Sequence, residues 1–182
     1  MKEKEPEESR YELGFYEVDP SVEIRKPRDV WDLVKRYKDD KRERMIVLHL
    51  DPMLRCFGYT VVAIGTYHRM VVDAADIFRE AIVREAKMII LAHNHPYEGN
   101  CKPSKDDLRL TEDIYKAGGY LHLPLLDHQV FCGGGFHSCM EYGQVVPKGG
   151  HYETVIPFDK MTGLHTSNKK RKFAHGGPFV IS

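Results

Sequence analysis

No two cysteines in this 182-residue chain stand in a Cys-x-x-Cys pattern; Cys56, Cys101, Cys132 and Cys139 are scattered singly. That scatter excludes a zinc knuckle and argues against a disulfide framework, so reduced thiols are expected. Net charge is missing too, with 27 Lys+Arg set against 27 Asp+Glu. Without a field of one sign the chain offers no duplex-binding face and no lure for acidic substrates. No apolar run approaches the ~20 residues of a membrane helix, so no membrane partner is expected. The opening Met1-Lys2-Glu3-Lys4-Glu5-Pro6-Glu7-Glu8 is too acidic and polar for a secretory signal. The expected compartment is therefore the cytoplasm. No internal repeat is evident.

What is present is an alternation of short apolar runs and helical spacings. Residues 1–26 are charged and poor in apolar side chains, which reads as a loose acidic arm. Pro27 opens an amphipathic helix with Val30, Leu33, Val34 and Tyr37 on one face. Met45–Leu50 and Tyr59–Ile64 read as strands, and Ile77, Ala81, Ile82 and Ala86 mark a helix over about 74–87. Met88–Ala92 is a third strand. A helix follows from Ser104 up to Gly118-Gly119, carrying Leu108, Thr111, Ile114 and Tyr115. Leu121–Leu126 and His128–Cys132 are further strands, broken at Asp127, and Gly133-Gly134-Gly135 is a turn. The sum is an α/β fold, a mixed sheet flanked by helices. It occupies 27–143, and 144–182 is a basic, glycine-rich tail whose run Asn168–Lys172 reads as a solvated face.

The strongest chemical signal is His93-Asn94-His95-Pro96 at the end of the third strand, with Ser104-Lys105-Asp106-Asp107 close behind. Side chains alternate along an extended chain, so two imidazoles two positions apart share a side. Asp107 arrives twelve residues after His95, early in the next helix, where it can fold back. Two neutral imidazoles and a carboxylate suit a catalytic zinc with a water in the fourth position. A lone His-x-His is more often an ordinary pair. Ser104 and Asp107 also read as a helix cap, and the two readings are compatible. The helix start supplies N–H groups and a positive dipole end that can steady a carboxylate or an oxyanion.

Taken in order, Ala92-His93-Asn94-His95-Pro96, Pro103-Ser104-x-x-Asp107, Gly65-Thr66, Arg79-Glu80-Ala81, Leu126-Asp127-His128 and Ser138-x-x-Glu141-x-Gly143 resemble the RadC-like branch of the JAB/MPN (JAMM) superfamily. The resemblance covers about Pro27 to Gly143. It implies a cytidine-deaminase-like layered architecture and one Zn²⁺ per chain, held by His93, His95 and Asp107. It also implies a general base at the start of the first strand, where Glu43 stands; Glu12, Glu17 and Glu23 fit less well. Ser104 would donate to the oxyanion or to the metal-bound water. The implied reaction is hydrolysis of a peptide or isopeptide bond in a peptide or protein substrate. Two departures stand out. Tyr97-Glu98-Gly99 lengthens the loop after His95 by one residue, and the N-terminal helix-hairpin-helix module of full-length relatives has no counterpart in the first 26 residues.

Two other functions compete: a non-catalytic JAB/MPN interaction module, and a RadC-like protein acting on or near DNA, as the family's repair label suggests. The contiguous His-Asn-His is unlike the dispersed residues of HNH nucleases, and the neutral charge gives DNA no support. His128 reads equally as an outer partner of a ligand or as half of a structural pair with Asp127. Cys101 lies within reach of the metal loop but is expected to be inert. His49, His68 and His122 lack partners at ligand spacing and read as packing or surface residues.

Overall fold

The computed structural model describes residues 13–65, 72–96 and 101–145. Its sheet has six strands: β1 (Gly14–Glu17), β2 (Arg44–Leu50), β3 (Cys56–Ile64), β4 (Met88–Asn94), β5 (Leu125–Cys132) and β6 (Gly135–Ser138). They lie side by side in the order β1-β3-β2-β4-β5-β6, and only the β4–β5 pair is parallel. Three helices cover the sheet: α1 (Pro27–Val34), α2 (Ala74–Val83) and α3 (Lys105–Tyr120). This is the mixed α/β fold expected from the sequence. None of the described helices is long and apolar enough to cross a membrane.

Alternation along β2 and β4 builds two cores, because successive side chains leave a strand on opposite faces. Ile46, Leu48, Ile90 and Ala92 pack under α1 with Val30, Trp31 and Val34. Met45, Val47, Ile89 and Leu91 pack under α2 and α3 with Ile77, Phe78, Ala81, Ile114 and Tyr115. A strand buried on both faces reads as a continuous apolar run, which is why β4 announces itself in the sequence. The odd-numbered face of β4 therefore carries His93 to the side roofed by α3.

Several expectations change. Four residues assigned to the acidic arm form β1, which pairs with β3 from Gly14↔Val61 to Glu17↔Gly58. α2 stops at Val83 rather than Lys87, and Leu121–Pro124 connects elements instead of forming a strand. α3 runs through its glycines to Tyr120 because the chain returns close beside it. A Cβ on Gly118 would stand 2.6 Å from the Leu123 carbonyl oxygen. Gly133–Gly134 is a turn, as expected, but it leads into β6.

The break expected at Asp127 is instead an irregularity within one strand. Ile89 pairs with Leu125 and Ile90 with Asp127, so Leu126 is an extra residue. A bulge of one residue reverses the alternation beyond it. Consequently His128, opposite Leu91, shares the α3 side of the sheet with His93.

The thiols also differ from expectation. Cys101 and Cys132 form a disulfide, with Cα atoms 5.3 Å apart, while Cys56 and Cys139 are free and buried. The bond ties the segment just ahead of α3 to the end of β5. Two cysteines 31 apart in sequence carry no local signature of such a pairing, which depends on the fold bringing them together. His68, the Tyr97–Gly99 insertion and the basic tail from 146 onward lie outside the described residues.

Candidate metal centre

α3 begins with a reciprocal cap. The Ser104 N–H donates to Asp107 Oδ2 at 2.7 Å, and the Asp107 N–H donates to Ser104 Oγ at 3.1 Å. This capping box does more than end a helix neatly. It holds the Asp107 carboxylate over the first turn, facing the end of β4. Asp107 Oδ1 lies 3.2 Å from His93 Nε2 and Oδ2 lies 3.4 Å from His95 Nε2. The two Nε2 atoms are 3.0 Å apart. These are the only His, Cys, Asp or Glu side chains among the described residues that converge in this way.

The separations test whether a metal fits. A tetrahedral zinc with bonds of ~2.0–2.1 Å holds its ligand atoms ~3.3 Å from one another. The two Nε2 atoms stand 3.0 Å apart, and each has a different Asp107 oxygen beside it, Oδ1 at 3.2 Å from His93 and Oδ2 at 3.4 Å from His95. The nitrogens thus lie near the spacing of two ligand positions, and the carboxylate is within reach of a third. The chemistry agrees. Two imidazole nitrogens and a carboxylate present lone pairs to one point, an arrangement that demands positive charge at its centre. Burial opposes ionisation of Asp107, but His93, His95 and Ser104 outweigh it and hold the carboxyl well below its usual range. His93 and His95 are almost wholly enclosed, whereas the Asp107 side chain is 16% exposed, so the cluster opens on the aspartate side.

The far nitrogen of His93 is occupied as well. Its Nδ1 lies 2.8 Å from His128 Nε2, and His128 Nδ1 lies 2.6 Å from Thr111 Oγ1. The Thr111 hydroxyl donates to the Asp107 carbonyl at 2.6 Å. Burial, and then the neighbouring His93, push His128 well below the ordinary imidazole range, so its ring is neutral. Asp127 does not share this arrangement. Its Oδ1 accepts from the Met140 N–H at 2.9 Å and its Oδ2 from Gln129 Nε2 at 3.2 Å. Burial raises its carboxyl to about 6. Of the two readings of His128, its ring meets His93, the candidate ligand, and not the Asp127 side chain.

Glu43 precedes β2. Register between β2 and β4 runs Met45↔His93, and continuing it two residues would bring Glu43 level with His95 at the same end of the sheet. The peptide units flanking Glu43 are gripped by Asn94. The Arg44 N–H donates to Asn94 Oδ1 at 2.7 Å, and Asn94 Nδ2 donates to the Arg42 carbonyl at 3.0 Å. Nothing local in the sequence marks Asn94 for this grip except one feature. Its signal was its parity: between two histidines, it must face the α1 side, where a buried amide needs backbone partners.

The remaining candidates separate cleanly. Cys101 is engaged in the disulfide and is not a ligand. His49 is buried against Phe15 and Phe57 and bonds Thr60, as a packing residue does. His122 is exposed.

Comparison with known proteins places the domain in a family. The RadC-like JAB domain family matches residues 24–144, close to the Pro27–Gly143 stretch that carries the resemblance. UPF0758 protein tlr1707 of Thermosynechococcus vestitus is 42% identical over 110 residues, covering 59% of this chain and 44% of the relative. A UPF0758 protein of Aquifex aeolicus is 38% identical over 122 residues, covering 67% and 52%. Another, of Methanococcoides burtonii, is 31% identical over 134 residues, covering 73% and 58%. The chain thus spans about half the length of these relatives. With the match extending over most of the described residues, the chain belongs to the RadC-like JAB domain family.

Proposed function

We propose that this domain is a JAMM-type zinc hydrolase that cleaves a peptide or isopeptide amide bond. The observation that carries the reading is the convergence of His93 Nε2, His95 Nε2 and an Asp107 carboxylate at zinc-ligand spacing. Those three side chains would hold the ion. A zinc ion there would supply Lewis acidity, polarising the scissile carbonyl and lowering the pKa of a water to ~7.

The chain's own groups perform the proton chemistry. Glu43 accepts the proton of the attacking water as general base and returns it to the departing amine nitrogen. The Asn94 grip on Arg42 and Arg44 fixes the backbone from which Glu43 works. Ser104 accepts from the Asp107 N–H, which leaves its own O–H proton to donate to the tetrahedral oxyanion. The exposed aspartate side of the cluster is where substrate enters.

Glu43→Gln tests the assignment. The variant retains one zinc per chain and loses hydrolysis of any peptide or isopeptide-linked lysine substrate the native chain cleaves, by about 10²-fold or more. Undiminished turnover removes Glu43 from the role. A zinc-loaded native chain inert across both substrate classes moves the reading to a non-catalytic interaction module.

A further inference from the structure

We propose that the Cys101–Cys132 disulfide is a redox latch on the candidate metal centre. Exchange with a small thiol of the glutathione class opens it, releases the start of α3, and loosens the hold of Asp107 on zinc. The consequence for zinc rests on the hydrolase reading, whereas the latch itself opens and closes without a metal.

The bond sits where the helix is weakest. Along α3 the buried residues are Thr111, Ile114, Tyr115 and Gly118, so packing takes hold one turn after Asp107. Before that point Lys105 and Asp106 are exposed and Leu108 is half-buried. The ends of a helix fray more readily than its packed interior. Asp107 is thus presented by the stretch of α3 that the core secures least, and its capping box with Ser104 moves with that turn. Beyond the contacts of Asp107 with the two histidines, this turn is fastened to the sheet by the disulfide three residues ahead of Ser104, with the buried Pro103 between. β5 is the common anchor. The His95 N–H donates to the Phe131 carbonyl at 2.8 Å, and the next residue, Cys132, holds Cys101. The strand end that carries the imidazoles and the helix start that carries the carboxylate are moored to consecutive residues. Cutting the disulfide frees one mooring and leaves the other.

The exchange has a defined order. Cys132 is 2% exposed and Cys101 is half-buried, so an incoming thiolate reaches Cys101 Sγ. A new S–S bond forms there, the Cys101–Cys132 bond breaks, and Cys132 leaves as a thiolate that takes up a proton. A second thiol then attacks the mixed disulfide and frees Cys101. Two small thiols are oxidised to one disulfide, and the protein gains two electrons and two protons. Cys56 and Cys139 do not interfere, because both are buried and burial pushes their thiols up to about 11 and about 12.

The first test reads the full metal-free chain, oxidised and again after reduction by a phosphine that is then removed. Unfolded without reductant, the oxidised chain should be alkylated at Cys56 and Cys139 and joined at Cys101 and Cys132; four alkylated cysteines would overturn the latch. Brief exposure to glutathione should leave the mixed disulfide on Cys101, and an adduct on Cys132 would contradict the order of attack. On reduction the Asp107 and Leu108 amides, which donate to Ser104, should exchange with solvent about tenfold faster while β2 and β4 keep their protection. Unchanged exchange at those two amides would show a passive staple and refute the latch. The second test measures zinc affinity by competition with a chromophoric chelator. A first turn formed about one-tenth of the time raises the apparent dissociation constant about tenfold, and reduction should do so. The double variant Cys101→Ser, Cys132→Ser should show that weaker affinity with or without reductant, which separates release of the helix from zinc captured by new thiols. Should it fail to fold, Cys101→Ser alone cuts the bond at its accessible end and serves in its place. Equal affinity in the two redox states would contradict the latch. A chain that takes up no zinc in either state refutes the hydrolase reading, while amide exchange still decides the latch.

Discussion

Two buried histidine–threonine pairs sit in this domain, and their contrast separates packing from chemistry. His49 on β2 places Nε2 2.8 Å from Thr60 Oγ1, between the rings of Phe15 and Phe57, and its Nδ1 has no hydrogen-bond partner among the described residues. His128 on β5 places Nδ1 2.6 Å from Thr111 Oγ1, but its other nitrogen meets His93, and Thr111 continues to the Asp107 carbonyl. Both rings are fully enclosed, and burial pushes both below the ordinary imidazole range. One pair ends in hydrocarbon; the other is a link in a chain that reaches the candidate ligands. Burial alone therefore says little about function, and the second nitrogen says most.

The largest expected difference between the pairs is in zinc affinity. Where His128→Leu costs about 10–100-fold, His49→Leu should leave the dissociation constant unchanged within about twofold. An equal loss from both would mean that any buried histidine of this sheet supports the site through general stability. Chelator competition on the two variants in parallel decides between these.

The next contrast is in acid stability. Burial, with a smaller contribution from Arg84, lowers His49 from 6.5 to about 4. The folded chain therefore binds fewer protons than the unfolded chain between those values, so stability falls as pH drops through that window. The loss is on the order of 3 kcal/mol. Asp127, raised from 3.8 to about 6, works in the opposite direction, losing stability as pH rises through its own window. Comparing His49→Leu with the native chain isolates the first effect: urea midpoints should fall less steeply below pH 6.5 in the variant. Parallel curves would show that His49 is already charged in the folded state.

The smallest effect concerns the threonines. Thr60→Val and Thr111→Val each remove one buried hydroxyl and leave a ring nitrogen unpaired, costing ~1–3 kcal/mol of stability. Only Thr111→Val should also alter zinc affinity. If Thr60→Val does so as well, the two pairs are not distinct.

How much of this was legible in the sequence follows from which interactions are local. β2, β3 and β4 are runs long enough to declare their apolar pattern, and the Ser104–Asp107 cap is written within four residues. The His93–His95 spacing and the return of Asp107 were readable for the same reason. β1 and β6 are four-residue edge strands, too short for a period-two pattern to show. The disulfide, the bulge at Leu126 and the grip of Asn94 on the residues around Glu43 all depend on chain segments far apart in sequence. His128 was readable as an outer partner of a ligand and equally as half of a pair with Asp127, because that neighbour offered a plausible local alternative. Alternation sends the two to opposite faces, and the bulge decides that His128 rather than Asp127 takes the α3 side, which only the register reveals.

Zinc content of the native chain and of Asp107→Ala, counted by native mass spectrometry after purification without added metal and again after loading with Zn²⁺, tests the central claim most directly. One zinc per native chain, absent from the variant in both conditions, is the predicted result. A native chain that remains metal-free after loading, or a variant that binds as the native chain does, would contradict it.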